Sequence, residues 1–119
     1  MKRSFTTLTD ATLITAVVQQ GYGEIIADAL LEVGIEGSTV HGAMGVGIRE
    51  KLGALGVAVD AERDVVNLMV SSDEVDRVFE RVFLAGKLDT PGMGFMYATP
   101  LMQAATYVPP SILSKYVGS

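Results

Sequence analysis

Two runs, TLITAVV at residues 12–18 and DVVNLMV at 64–70, constrain this chain more than any other feature. Both are β-branched or apolar almost throughout, so both read as strands. In each, the two alternating sets are largely apolar. Leu13, Thr15 and Val17 oppose Ile14, Ala16 and Val18; Val65, Asn67 and Met69 oppose Val66, Leu68 and Val70. A strand of this kind needs cover on both faces of its sheet.

Each run leads into a helical pattern. After the turn QQGYG (19–23), a helix is expected from about Gly23 to Val33. Its apolar face is Ile25, Ile26, Ala29, Leu30 and Val33, and Gly34 is placed to end it in the left-handed conformation. After the second run, Ser71 and Glu74 have capping-box spacing for a helix reaching about Ala85, with Gly86 closing it. Val75, Val78, Phe79, Val82 and Phe83 form its buried stripe, and Asp73 and Arg77 have i,i+4 spacing for an ion pair. Two shorter strands are expected, over Ser38–Ala43 and Met93–Thr99. Pro100, Pro109 and Pro110 mark an irregular tail.

The order strand–helix–strand, loop, strand–helix–strand predicts an α+β fold of the ferredoxin-like βαββαβ type. A four-stranded antiparallel sheet would carry two helices on one face. The other face would remain apolar and exposed, which predicts a homo-oligomer that buries it. Cover by the chain's own tail is the alternative. Residues 1–10 read as a flexible arm, 11–101 as the domain and 102–119 as a tail.

Composition narrows the functions. With 119 residues, 49% of them hydrophobic, the chain can bury a core as one domain. It has no cysteine, hence no disulfide or thiolate chemistry. The net charge of -5 argues against nucleic acid. MKRSFTT is basic, but no apolar run follows it, so no secretory leader is read and a cytoplasmic address is expected. No apolar run approaches the ~20 residues that span a bilayer.

Candidate chemistry centres on two glycine clusters, GAMGVG (42–47) and GKLDTPGMG (86–94). Glycines let backbone N–H groups approach an anion closely. Arg49, Lys51 and Lys87 stand nearby as cations. The first cluster leaves a strand for a loop, so it is not a dinucleotide fingerprint. The plainer reading of both clusters is a bulge and a turn. His41, the single histidine, is read as an ordinary strand residue. No nucleophile–base pair or carboxylate dyad is visible, so no enzyme activity is expected.

The run ALLEVGIEGSTVHGAMGVG (29–47) resembles the helix-turn-strand signature of the nitrogen regulatory protein P-II superfamily, ahead of its long T-loop. Residues 65–101 resemble the second half of that fold, including a phosphate-facing B-loop. The resemblance implies a trimer with its sheets packed inward and a nucleotide site in the cleft between neighbouring subunits. It places a T-loop at about 48–62 and the B-loop at about 86–94. By motif, Thr39 stands where the adenine is held and Met69 on the strand lining that pocket. Gly45, Val46 and Gly47 lie at the T-loop base, with Arg49 just beyond. Gly86, Lys87, Gly92, Met93 and Gly94 occupy the B-loop.

The chain also departs from the pattern. Met93 stands near the place of a phosphate-binding lysine, and the basic C-terminal motif is replaced by AATYVPP (104–110). The T-loop has no tyrosine, which excludes tyrosine nucleotidylation there. Arg49 and Glu50 stand near the place of the glutamine that helps to hold magnesium and 2-oxoglutarate. These residues mark a divergent member.

The resemblance therefore implies a sensor of a small effector, with ADP, ATP, AMP or cyclic AMP as candidates. The partner read through the T-loop would be a membrane transporter or a cytosolic enzyme. The alternative is a metal-binding trimer resembling the divalent-cation tolerance proteins, with His41, Asp60, Glu62 and Asp64 as ligands. A small ferredoxin-like enzyme and a purely structural trimer are further readings.

Overall fold

The computed structural model describes residues 6–43 and 62–106. The element order is β1 (Thr7–Leu8), β2 (Ala11–Gln19), α1 (Tyr22–Glu32), β3 (Thr39–Ala43), β4 (Arg63–Ser71), a 3-10 turn (Ser72–Glu74), α2 (Val75–Ala85), β5 (Gly94–Leu101) and β6 (Ala104–Ala105). Strands β3, β4, β2 and β5 lie side by side in that order. Every neighbouring pair is antiparallel. With two helices, this is the ferredoxin-like α+β fold that the sequence predicts. Pro100 falls inside β5 rather than in an irregular tail. It is tolerated because β5 is an edge strand, where a missing N–H need not break a ladder.

The core lies between one face of the sheet and the helices. Ile14, Ala16 and Val18 of β2 and Val66 and Leu68 of β4 meet Ile26 and Leu30 of α1 and Val78 and Val82 of α2. The helical stripe of α1 is narrower than expected, since Ile25 and Val33 are exposed. The opposite sheet face carries Leu13, Thr15, Val17, Val65, Asn67 and Met69. Register places Thr15 beside both Asn67 and Tyr97. The Thr15 hydroxyl donates to Asn67 Oδ1 at 2.8 Å, a polar pair set within an otherwise apolar face.

Helix α1 borrows its N-cap from a distant strand. Its cap residue, Gly21, has no side chain, so Asp64 of β4 supplies the acceptor. Asp64 Oδ2 accepts from the N–H groups of Gly21 (2.9 Å) and Gly23 (3.1 Å). A carboxylate there satisfies orphan donors and opposes the positive end of the helix dipole, together worth roughly 1–2 kcal/mol.

The capping box expected at Ser71 does not form. Ser71 Oγ instead donates to Asp73 Oδ1 at 2.6 Å, and a 3-10 turn precedes α2. The i,i+4 pair of Asp73 and Arg77 is likewise replaced by Arg77 with Glu74 at 2.9 Å. The tighter turn moves the start of α2 past Glu74 and brings that carboxylate within reach.

The first and last described segments also depart from a free arm and an irregular tail. Thr7 and Leu8 pair with Ala105 and Ala104. Strands β2 and β5 run side by side and carry these two segments off the same end of the sheet, where they meet.

Candidate functional site

The ends of four strands create the site. Register aligns Ala43 of β3 with Arg63 of β4, and Arg63 with Gln19 of β2. Gly94 of β5 pairs with Val18, and Gln19 N–H donates to the Met93 carbonyl at 3.0 Å. The second glycine cluster, the loop from α2 to β5, thus lands at the same end of the sheet as Ala43 and Arg63, which flank residues 44–61 in the chain. Gly45, Val46, Gly47 and Arg49 lie outside the described residues.

Local hydrogen bonds shape the loop. Helix α2 ends with Lys87 N–H donating to Leu84 O (3.2 Å) and Leu88 N–H to Phe83 O (3.1 Å). This is a Schellman ending, which needs one left-handed residue. Gly34 fills that place after α1, with φ +80°. After α2 it is Lys87, with φ +54°, while Gly86 keeps an ordinary φ of -81°. Helix α2 ends at Ala85 with Gly86 as its cap, as expected, and the left-handed residue follows one position later. A lysine is held in a conformation that costs roughly 1 kcal/mol. Lys87→Gly is expected to raise stability by about 0.5–1 kcal/mol in urea unfolding while weakening any anion bound at the loop. A loss of stability would show that the lysine side chain makes a compensating contact.

The loop then turns back. Thr90 N–H donates to Lys87 O and Met93 N–H to Thr90 O. Met93 is buried, so its side chain faces the interior while its backbone joins β2. Gly94 has φ +135°, and a Cβ there would stand 2.0 Å from the Val17 carbonyl oxygen. Only glycine allows the chain to enter β5 so close to the central strand.

Sequence reasoning missed Arg63. Its residue is 2% exposed, and Nη1 donates to the Gly92 carbonyl at 3.3 Å. A buried guanidinium thus grips the loop from beneath. The signal was a cation at the mouth of an apolar strand, next to Asp64. Charged residues are almost never fully buried without a purpose or a partner.

Thr39 and Met69 are not drawn into this cluster within one chain. Thr39 pairs with Asn67, and Met69 with Leu13. At the usual strand rise they stand ~13 Å and ~20 Å along the sheet from the Arg63 end. Both are exposed, Met69 by 41%. Of the residues proposed as metal ligands, Asp64 caps α1 and Glu62 accepts from Gln20 at 2.8 Å. Asp60 lies outside the described residues. Among the described residues no three His, Cys, Asp or Glu side chains converge.

No helix among these residues is long and apolar enough to cross a membrane. The arrangement offers a glycine-rich loop with one exposed cation, Lys87, and the buried Arg63 beneath it, which suits an anion. Among solved structures, the crystal structure of Arabidopsis thaliana PII bound to citrate has a similar fold. The TM-score is 0.62 at 20% identity, over 78% of each chain. No curated protein sequence matches significantly. The family model for nitrogen regulatory protein P-II matches residues 11–107, nearly the whole described chain, and the chain belongs to that family.

Proposed function

We propose that this protein is a homotrimeric, non-enzymatic sensor. It would take an adenine nucleotide in clefts between neighbouring copies and report occupancy through residues 48–62. The observation that carries this reading is the convergence, at one sheet end, of the glycine loop 86–94, Lys87, Arg63 and the strand end at Ala43. Backbone amides and a lysine are suited to phosphate or carboxylate groups. Citrate, the ligand of the Arabidopsis protein, is also an anion.

The distance of Thr39 and Met69 from the loop supports a site shared by two copies. One subunit would offer its loop, and its neighbour the sheet residues. The sheet face opposite the helices, where Thr15, Val17 and Val65 are buried but Met69 and Tyr97 of the stacked Phe95–Tyr97 pair are exposed, would be the trimer contact. Residues 44–61 leave the sheet at the same end as the glycine loop, so a ligand that touched both would bias their conformation by its difference in affinity between states. The reader of that segment would be a membrane transporter or a cytosolic enzyme, with the sensor itself cytoplasmic.

Calorimetric titration with ATP, ADP, AMP and cyclic AMP, with and without magnesium, tests the proposal. The same series would be repeated with 2-oxoglutarate, bicarbonate and citrate. The expected result is saturable nucleotide binding near one site per subunit, in a species three times the 12.6 kDa chain mass. A monomer by sedimentation, or no heat with any nucleotide, would overturn it.

A further inference from the structure

We infer that the outer surface of the helical layer, away from the sheet-end site, is a docking groove for a basic amphipathic helix of another protein. A groove of about 430 Å³ runs between α1 and α2, lined by Ile25, Asp28 and Ala29 on one side and Arg81 and Leu84 on the other. Its apolar residues are unusually open. Ile25 is 48% exposed and Leu84 60%. Such side chains, spaced over two adjacent helices, suit a third helix that inserts aliphatic anchors at i, i+3 or i+4, and i+7.

Charge selects the occupant. Helix α1 carries Glu24, Asp28 and Glu32 and no base. The turn and α2 carry Asp73, Glu74, Asp76 and Glu80 against Arg77 and Arg81. The net of the two helical segments is therefore -5, which equals the net charge of the whole chain. Both arginines are engaged, Arg77 with Glu74 and Arg81 with Glu32. Glu24, Asp28, Asp76 and Glu80 have no ionic or hydrogen-bond partner among the described residues.

Arg81 shows how a cation fits the groove. Its Nε donates to the Ala29 carbonyl at 3.3 Å and its Nη2 to Glu32 at 3.1 Å. A partner's lysine or arginine would meet Asp28 in the same way. The lining holds Asp28 and Glu32 against Arg81, and Glu24 and Glu80 stand one helical turn before Asp28 and Leu84, so the acidic excess repels a second copy of itself and an anionic lipid surface, while it attracts a basic helix.

The test uses the full chain, labelled with nitrogen-15, and two synthetic helical peptides. Both carry the same leucine stripe; one is flanked by lysines and the other by glutamates. The lysine peptide is expected to bind saturably, at least tenfold tighter than the glutamate peptide, and to shift amides of α1 and α2. Leu84→Glu should weaken it at least tenfold. Asp28→Arg should narrow the gap between the two peptides. Both changes lie on exposed positions, so the fold survives them.

Equal affinity for the two peptides would overturn the inference, as would shifts confined to the sheet face. A fall in native mass with Leu84→Glu would assign the groove to a second copy instead. Shifts of residues 107–119 on peptide addition, marking displacement of the chain's own tail, would also overturn it.

Discussion

Gly94→Ala is expected to destabilise the fold by roughly 3 kcal/mol or more. Two costs combine at this position. The backbone has φ +135°, a region that L side chains rarely enter. The added methyl would also lie 2.0 Å from the Val17 carbonyl oxygen and 3.0 Å from Val18 Cα. Those atoms belong to β2, which is hydrogen-bonded on both sides and cannot give way locally. Relief requires β5 to peel from β2 at its first residue, and the Gln19–Met93 bond would go with it. Gly92→Ala is the control. Gly92 has φ +83° but open space around it, so only about 1 kcal/mol of backbone strain is expected. Urea unfolding of the three proteins at one subunit concentration separates the cases. Similar losses for both variants would mean that the close approach at Gly94 is not what matters.

Arg63→Met is expected to lower nucleotide affinity at least tenfold while leaving stability within about 1–2 kcal/mol of the parent. Methionine fills similar apolar volume. It removes both the desolvation cost of a buried charge and the bond that the charge makes to Gly92 O, and these changes oppose each other. Binding has no such offset. Arg63 is a positioning residue, which acts on the ligand through the loop that it holds. Without it the Gly92 carbonyl loses its charged donor, and the peptide units around Gly92 are freer to turn. Hydrogen exchange should therefore quicken in that loop and not in β2. Arg63→Lys should recover part of the affinity. Parental affinity in the methionine variant would sink this role, whatever its effect on stability.

Much of the fold was legible in the chain. The strands β2 and β4 announce themselves because their side chains are apolar on both faces, which only a covered sheet accommodates. The helices follow from periodicity, and Gly34 ends α1 in the predicted left-handed state. Local rules failed where two local solutions compete. Ser71 had capping-box spacing, yet its hydroxyl chose Asp73. Gly86 stops α2 as expected, yet it is Lys87, one position on, that enters the left-handed region. A difference of about 1 kcal/mol decides such contests.

The candidate site divides in the same way. Its glycines were visible because the need for positive φ or close approach leaves a mark on residue type. Arg63 was not, because a cation at a strand mouth reads as a solvated end until the Gly92 carbonyl is placed above it. Asp64 was read as a possible metal ligand, yet it caps a helix more than forty residues away in sequence.

By itself the sequence determined the strand and helix order and the antiparallel sheet, since periodicity and glycine placement are local properties. Only the tertiary structure decided which side chains face one another across long separations. Burial of Arg63 against the glycine loop and the reach of Asp64 to α1 belong to that class, as does the acidic groove between the helices. Each depends on strand register, and register is settled by the whole sheet packing at once.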